Sequence, residues 1–301
     1  MRAIEIDRFG PPDVLRLVDV AEPGPVTGEV LIRTVATSVN PVDDKTRAGA
    51  IGEGTPPLPM RLGWDVAGVV VDGGAGRWRA GDRVFAMSHQ LGTRRGTWAD
   101  LIALPAEAVA TAPRGVSLVE AATLPLPGLS AVQTLAWLGV SAGERLLIAG
   151  AAGAVGGLAL QIARARGIAV DALVSRDEQV MVAREHGAGF VSTDREGFRG
   201  RDYDAVLDTF GGFLTEAVAD GGRYASIATQ AGPVPDLSAR GVRTTVNQVR
   251  EDGAALRELT RLVDRGVLKP RVHAVFGLHD IRAAHECFLG GNLTGKITVT
   301  F

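Results

Sequence analysis

The chain has 301 residues, more than one compact domain usually holds, and its 46% hydrophobic and 22% charged content excludes the disordered class. The 32 Lys and Arg against 34 Asp and Glu leave a formal charge of −2 with no basic cluster, which excludes a nucleic-acid footprint. A single cysteine, Cys287, excludes a disulfide framework and a multi-cysteine zinc site, and fits a reducing cytoplasm.

The first residues, Met1 to Glu5, alternate charged and apolar side chains without an apolar h-region, so they read as a strand and not as a signal peptide. As far as about Leu118 the pattern is short β-branched segments between turn residues, such as Val30 to Val35 and Ala67 to Val71, which predicts a mainly β region. From about Ser130 to Val267 apolar strands alternate with helical stretches. The strand candidates are Leu146 to Ala149, Ala169 to Val174, Ala205 to Leu207 and Tyr224 to Ile227. That alternation predicts an α/β fold with a doubly wound parallel sheet. The uncharged run Leu146 to Ala163 is long enough to raise a membrane question, but Gly150, Gly153, Gly156 and Gly157 divide it into a strand, a turn and a buried helix. In that helix Val155, Leu158, Ala159, Ile162 and Ala165 form one apolar face. The tail reads as a helix from Leu278 to Leu289 and a last strand from Gly295 to Thr300 that returns to the first domain. The expected organisation is a catalytic domain over 1–118, completed by 270–301, and a Rossmann domain over 119–269.

A buried strand, a glycine turn and a helix occur in succession from Leu146 through Gly150 to Gly156, the setting that a dinucleotide fingerprint requires. Gly153 would let the backbone approach a pyrophosphate, Gly156 would let helix and strand pack closely, and the first helical residues, Ala154 and Val155, would offer amides and the positive dipole end. Ala151 stands where the usual pattern has its first glycine. The second strand ends in Ser175 and Arg176, a hydroxyl and a guanidinium suited to a 2′-phosphate, which predicts NADPH; Asp177 follows and could serve a ribose instead.

Asn40-Pro41-Val42-Asp43-Asp44-Lys45, Gly63-Trp64-Asp65-Val66-Ala67-Gly68, Gly81-Asp82-Arg83-Val84, Pro127 to Ala131, the glycine turn and Gly295-Lys296-Ile297 follow one another as in the medium-chain dehydrogenase/reductase superfamily. Within it the chain resembles the zinc-free quinone oxidoreductase and enone reductase branch. The resemblance implies a GroES-like, partly barrel-like catalytic domain, a Rossmann domain and an active site in the cleft. Zinc alcohol dehydrogenases of the superfamily carry cysteine and histidine where Asn40 and Trp64 stand, so it also implies a metal-free site. By motif position, Lys45 would reach the nicotinamide carboxamide or the substrate carbonyl, and Asn40 and Trp64 would line the substrate pocket. Ser130 would sit near the nicotinamide ribose, Phe210, Gly211 and Ile227 would flank the nicotinamide, and Lys296 would approach the cofactor from the tail. Some relatives have a tyrosine near the end of the third strand, where this chain reads Ser192-Thr193-Asp194, and another branch has a tyrosine at the place of Lys45.

The expected activity is hydride transfer from NADPH to a quinone or an α,β-unsaturated carbonyl compound. Without a metal, a conjugated acceptor spreads its developing charge, and one donor such as Lys45 suffices as an oxyanion site. Asp43 and Asp65 read as residues that orient the local loop and not as bases. Two alternatives stay open: a dedicated biosynthetic enoyl reductase or reductive cyclase, and an NADPH-binding sensor with little turnover. A small molecule is the expected partner, with no nucleic acid or membrane and with homodimerisation left open.

Overall fold

The computed structural model describes residues 1–24 and 27–301. The chain forms two compact units, one made of Met1–Leu126, Arg250–Gly266 and Pro270–Phe301, the other of Pro127–Val249 and Val267–Lys269. No helix among the described residues is long and apolar enough to cross a membrane.

The first unit is built on the strand Glu29–Ser38, whose side chains Val30, Ile32, Thr34, Ala36 and Ser38 alternate inward as a half-buried strand requires. It pairs antiparallel with Asp65–Asp72, Leu101–Pro105 and Lys296–Thr300. Arg83–Met87, Val109–Thr111 and Val272–Gly277 extend this sheet, and Val66, Val70, Val84, Ala86, Ile102 and Leu104 fill its core. A smaller sheet pairs Arg2–Ile6 with Arg16–Asp19 and Met60–Arg61. The tail therefore returns to the first unit, through the pairs Thr298 with Ser38 and Val299 with Thr37.

The boundary drawn at 269 from the sequence falls differently in the structure. The helix Gly253–Asp264 belongs to the first unit. Its apolar residues Leu256, Leu259, Leu262 and Val263 recur at helical spacing, and burying Leu256 and Leu259 completely is worth about 1.5–3 kcal/mol each. Hydrogen bonds fix the docking: Gly253 N donates to Glu107 O at 3.0 Å, Thr260 Oγ1 to Thr111 O at 2.7 Å, and Arg114 N to Asp264 Oδ1 at 2.7 Å.

The second unit is a parallel sheet in the order Val191–Ser192, Ala169–Leu173, Arg145–Ala149, Tyr203–Asp208, Val218–Ser226, Arg243–Val246, a Rossmann arrangement. Helices Ala154–Ala165 and Glu178–Glu185 make its first two crossovers. The crossover from Asp208 to Val218 is an irregular loop, and the next contains only 3-10 turns at Thr229–Ala231 and Ser238–Arg240. Gly211-Gly212 in the first and Gly232-Pro233 in the second explain why: these residues favour turns over helices.

Candidate functional site

In the second unit the strand register sets the geometry. Leu173 and Asp208 both pair with Ala149, and Asp208 pairs with Ser226, so four parallel strands end level. The segments that follow them, 150–156, 174–176, 209–211 and residue 227, therefore share one edge of the sheet, where open α/β sheets bind ligands.

The glycine turn is forced by close approach. Gly150 has φ +81°, and a Cβ there would stand 2.2 Å from Thr209 Oγ1. A Cβ on Gly156 would lie 2.3 Å from Gly150 O, so only glycine lets the first helical turn rest on the strand end. Gly153 is extended and precedes the helix Ala154–Ala165, whose ladder begins with Gly157 N donating to Gly153 O at 2.9 Å. The amides of Ala154, Val155 and Gly156 come before that ladder and have no acceptor within the helix, so they can cradle an anionic group at the positive end of the dipole.

Along the same edge Ser175 donates from its amide and its Oγ to Gln179 Oε1, at 3.1 and 3.0 Å. Arg176 Nε lies 2.6 Å from Glu178 Oε1. On the other side of the turn, Asp208 is fully buried and accepts from the amides of Phe210, Gly211 and Phe213 at 3.1, 2.9 and 2.9 Å and from Tyr224 Oη at 2.7 Å. Burial and this carboxylate push the Tyr224 hydroxyl far above its ordinary pKa. Thr209 Oγ1 donates to Ala149 O at 2.8 Å, so the loop carrying Phe210 and Gly211 is tied to the strand that leads into the glycine turn. Phe210 is exposed, and Ile227 is held by its amide to Asp208 O at 3.0 Å. Ser130 is buried in the helix Pro125–Leu138. Asp208 was missed in the sequence, where the only signal is an acid closing the apolar strand Ala205 to Leu207.

In the first unit the helix Pro41–Ala48 follows Asn40, and Gly49 in the left-handed region ends it. Asp43, fully buried, accepts from Asn40 N at 2.9 Å and Gly63 N at 3.1 Å, the orienting role expected for it. Burial pushes its carboxyl up to about 7, against the pull of Lys296. His285, 3.8 Å away, and the Arg47 guanidinium hold Asp44 below the usual carboxylate range. Lys45 is half-buried, and burial lowers its pKa against the pull of Asp44. Trp64 is buried, with His89 edge-to-face at 5.0 Å between ring centres. Asn40 and Lys296 are in direct contact: the ammonium donates to Asn40 Oδ1 and, at 2.7 Å, to Val39 O. The amine is thus turned into the unit's interior, where the motif had suggested an approach to cofactor.

The chain was compared with known proteins. Residues 26–114 match the alcohol dehydrogenase GroES-like domain, and residues 178–299 match a family described as zinc-binding dehydrogenase. The chain is 31% identical to a 2-methylene-furan-3-one reductase of Solanum lycopersicum, over 99% of the chain and 79% of that protein. It is 29% identical to an NADPH-dependent alkenal/one oxidoreductase, chloroplastic, of Arabidopsis thaliana, over the same shares. The quinone oxidoreductase from Coxiella burnetii superposes with a TM-score of 0.88 at 27% identity, covering 100% of this chain and 99% of that one.

The zinc in one family description does not fit the residues present. Among the described residues no group of three or more His, Cys, Asp or Glu side chains is placed to hold a metal. The Asn40 carboxamide is engaged at both ends, by Lys296 and by Asp65, and Trp64 offers no ligand. Two domain matches, relatives matched over 99% of the chain and a superposable neighbour agree with the order of the motifs, and the chain belongs to the quinone oxidoreductase branch of the medium-chain dehydrogenase/reductase superfamily, an oxidoreductase family.

Proposed function

We propose that the protein is an NADPH-dependent, zinc-independent reductase that delivers a hydride to a quinone or to the conjugated bond of an α,β-unsaturated carbonyl compound. The observation that carries this reading is the level carboxyl edge of the parallel sheet, which aligns the glycine turn with Ser175 and Arg176 on one side and Phe210 and Gly211 on the other. The relatives named above, an enone-type reductase, an NADPH-dependent alkenal/one oxidoreductase and a quinone oxidoreductase, support it.

In this reading the amides of Ala154, Val155 and Gly156 hold the pyrophosphate, with Gly153 allowing its approach. Ser175 and Arg176 exchange Gln179 and Glu178 for the 2′-phosphate. Phe210, Gly211, Ile227 and Ser130 form the nicotinamide end. NADPH, when bound, supplies the hydride. Lys45 donates to the substrate oxygen on which charge accumulates, and Asn40 and Trp64 line the substrate. Both tyrosines of the chain, Tyr203 and Tyr224, are buried with their hydroxyls on Asp171 and Asp208, so the proton that completes the reduction comes from solvent. In this reading Lys296, bonded to Val39 O and Asn40 Oδ1, is assigned to Asn40 and not to the cofactor.

The test is oxidation of NADPH, and separately of NADH, with a panel of quinones, enones and saturated aldehydes. Turnover of conjugated acceptors with NADPH is expected. Reduction of saturated aldehydes alone, or binding of nucleotide without any turnover, would defeat the reading.

A further inference from the structure

Inside the first unit, side chains from distant parts of the chain meet in a buried cluster of one cation, two carboxylates and an amide: Lys296, Asp65, Asp43 and Asn40. The Lys296 ammonium donates to Val39 O and to Asn40 Oδ1 and stands 3.7 Å from Asp65 Oδ2. Asp65 Oδ2 accepts from Asn40 Nδ2 at 2.7 Å and from Ser38 Oγ, while its Oδ1 accepts from the Leu126 amide at 2.6 Å.

A gain in stability is a weak reason for such a cluster. Taking charges out of water costs more than their attraction commonly returns, and apolar residues of similar volume often hold such a space as well or better. What the ions do that apolar residues could not is fix both ends of one amide. The carbonyl of Asn40 faces the ammonium and its NH2 faces the carboxylate, so the side chain is fixed in one orientation. Asn40 is also the residue from which the helix Pro41–Ala48 starts, with its backbone amide on Asp43, and Lys45 follows little more than a turn later.

We propose that Lys296 and Asp65 are positioning residues: acting through Asn40, they hold the first turn of the Pro41–Ala48 helix, and with it Lys45, in the place that hydride transfer requires. This rests on the role given to Lys45 above. A small displacement of a reacting group is enough to matter, since about 1 Å can cost on the order of a hundredfold in rate.

Removing Lys296 alone would leave Asp65 without its cation, so the test uses the neutral double variant Asp65→Asn with Lys296→Met. It is expected to unfold near the parent temperature and to bind NADPH within about twofold of the parent, yet to turn over about tenfold or more slowly at saturation, because the loss falls on geometry of the reacting groups. A folded double variant with parental kcat overturns the proposal. Asn40→Ala removes the amide through which the ions act and should show a similar fall, with little further loss when the double substitution is added; additive losses would show that the ions do not act through Asn40. If the double variant does not fold, Asn40→Ala decides the matter, and an unchanged kcat there overturns the proposal. Lys45→Ala separates the two readings. If it is silent, the role of Lys45 fails; if it lowers turnover while the double variant does not, only the positioning role fails.

Discussion

At the carboxyl edge of the parallel sheet the glycine turn presents backbone amides and glycine surfaces, whereas around Asn40 the side chains carry charges that lie out of water. The first arrangement depends on how closely strand and helix approach, and it tolerates no added atom. The second depends on which charges face each other, and it tolerates changes of volume better than loss of a partner. Steric substitutions should therefore disable the nucleotide edge, and charge-altering ones the Lys45 region.

The largest effect is expected from Gly156→Val. Its Cβ would meet Gly150 O at 2.3 Å and Ala151 Cα at 2.9 Å, both backbone atoms, so helix and strand must separate. Overpacking of this kind costs about 3 kcal/mol at its upper end, roughly a hundredfold in NADPH affinity by fluorescence titration if it falls wholly on the bound state. Parental affinity would remove the glycine turn from the cofactor site.

Next comes Lys45→Ala, with a fall in kcat on the order of a hundredfold and nearly unchanged NADPH affinity, as for a lost oxyanion donor. The pH dependence sharpens it. Burial lowers the Lys45 pKa from 10.5, so its ammonium is present at low pH and is lost as pH rises through that lowered value. The alkaline decline of kcat/KM in the parent should begin below 10.5 and be absent from the variant; a decline shared by both would assign it to another group.

Arg176→Ala tests a charged side chain on the nucleotide edge. A lost charge-assisted hydrogen bond is worth about 1.5 kcal/mol, roughly tenfold weaker NADPH binding with NADH nearly untouched. The parent contact competes with Glu178, 2.6 Å from the guanidinium, so the loss should stay at the lower end of that range. Equal losses for both nucleotides would make Arg176 structural. The smallest expected effect is none: dialysis against a strong chelator should leave kcat unchanged, because Asn40 is already bonded to Lys296 and Asp65 and Trp64 is no ligand. Stoichiometric zinc with loss of activity on chelation would overturn the metal-free reading.

Much of the nucleotide edge was legible because it is local. A strand, a glycine turn and a helix lie within twenty residues, and the apolar periods of 2 and 3.6 announce them. Asp208 was not legible, because its partners are three amides of a loop whose path no periodic pattern describes. The helix Gly253–Asp264 fell within the stretch assigned to the Rossmann domain, because nothing local in the sequence shows which surface covers its apolar face.

Chain pattern alone settled the strand, glycine turn and helix from Leu146 to Ala165, the return of the last strand to the first domain and the glycines that backbone approach demands. It did so because propensity and periodicity act over a few residues. Packing settled which side chains meet. Lys296 and Asn40 are 256 positions apart, and nothing near either residue announces that the ammonium turns inward onto the amide. Buried charges must be matched wherever the folded chain brings partners within reach, so only the tertiary structure could assign them.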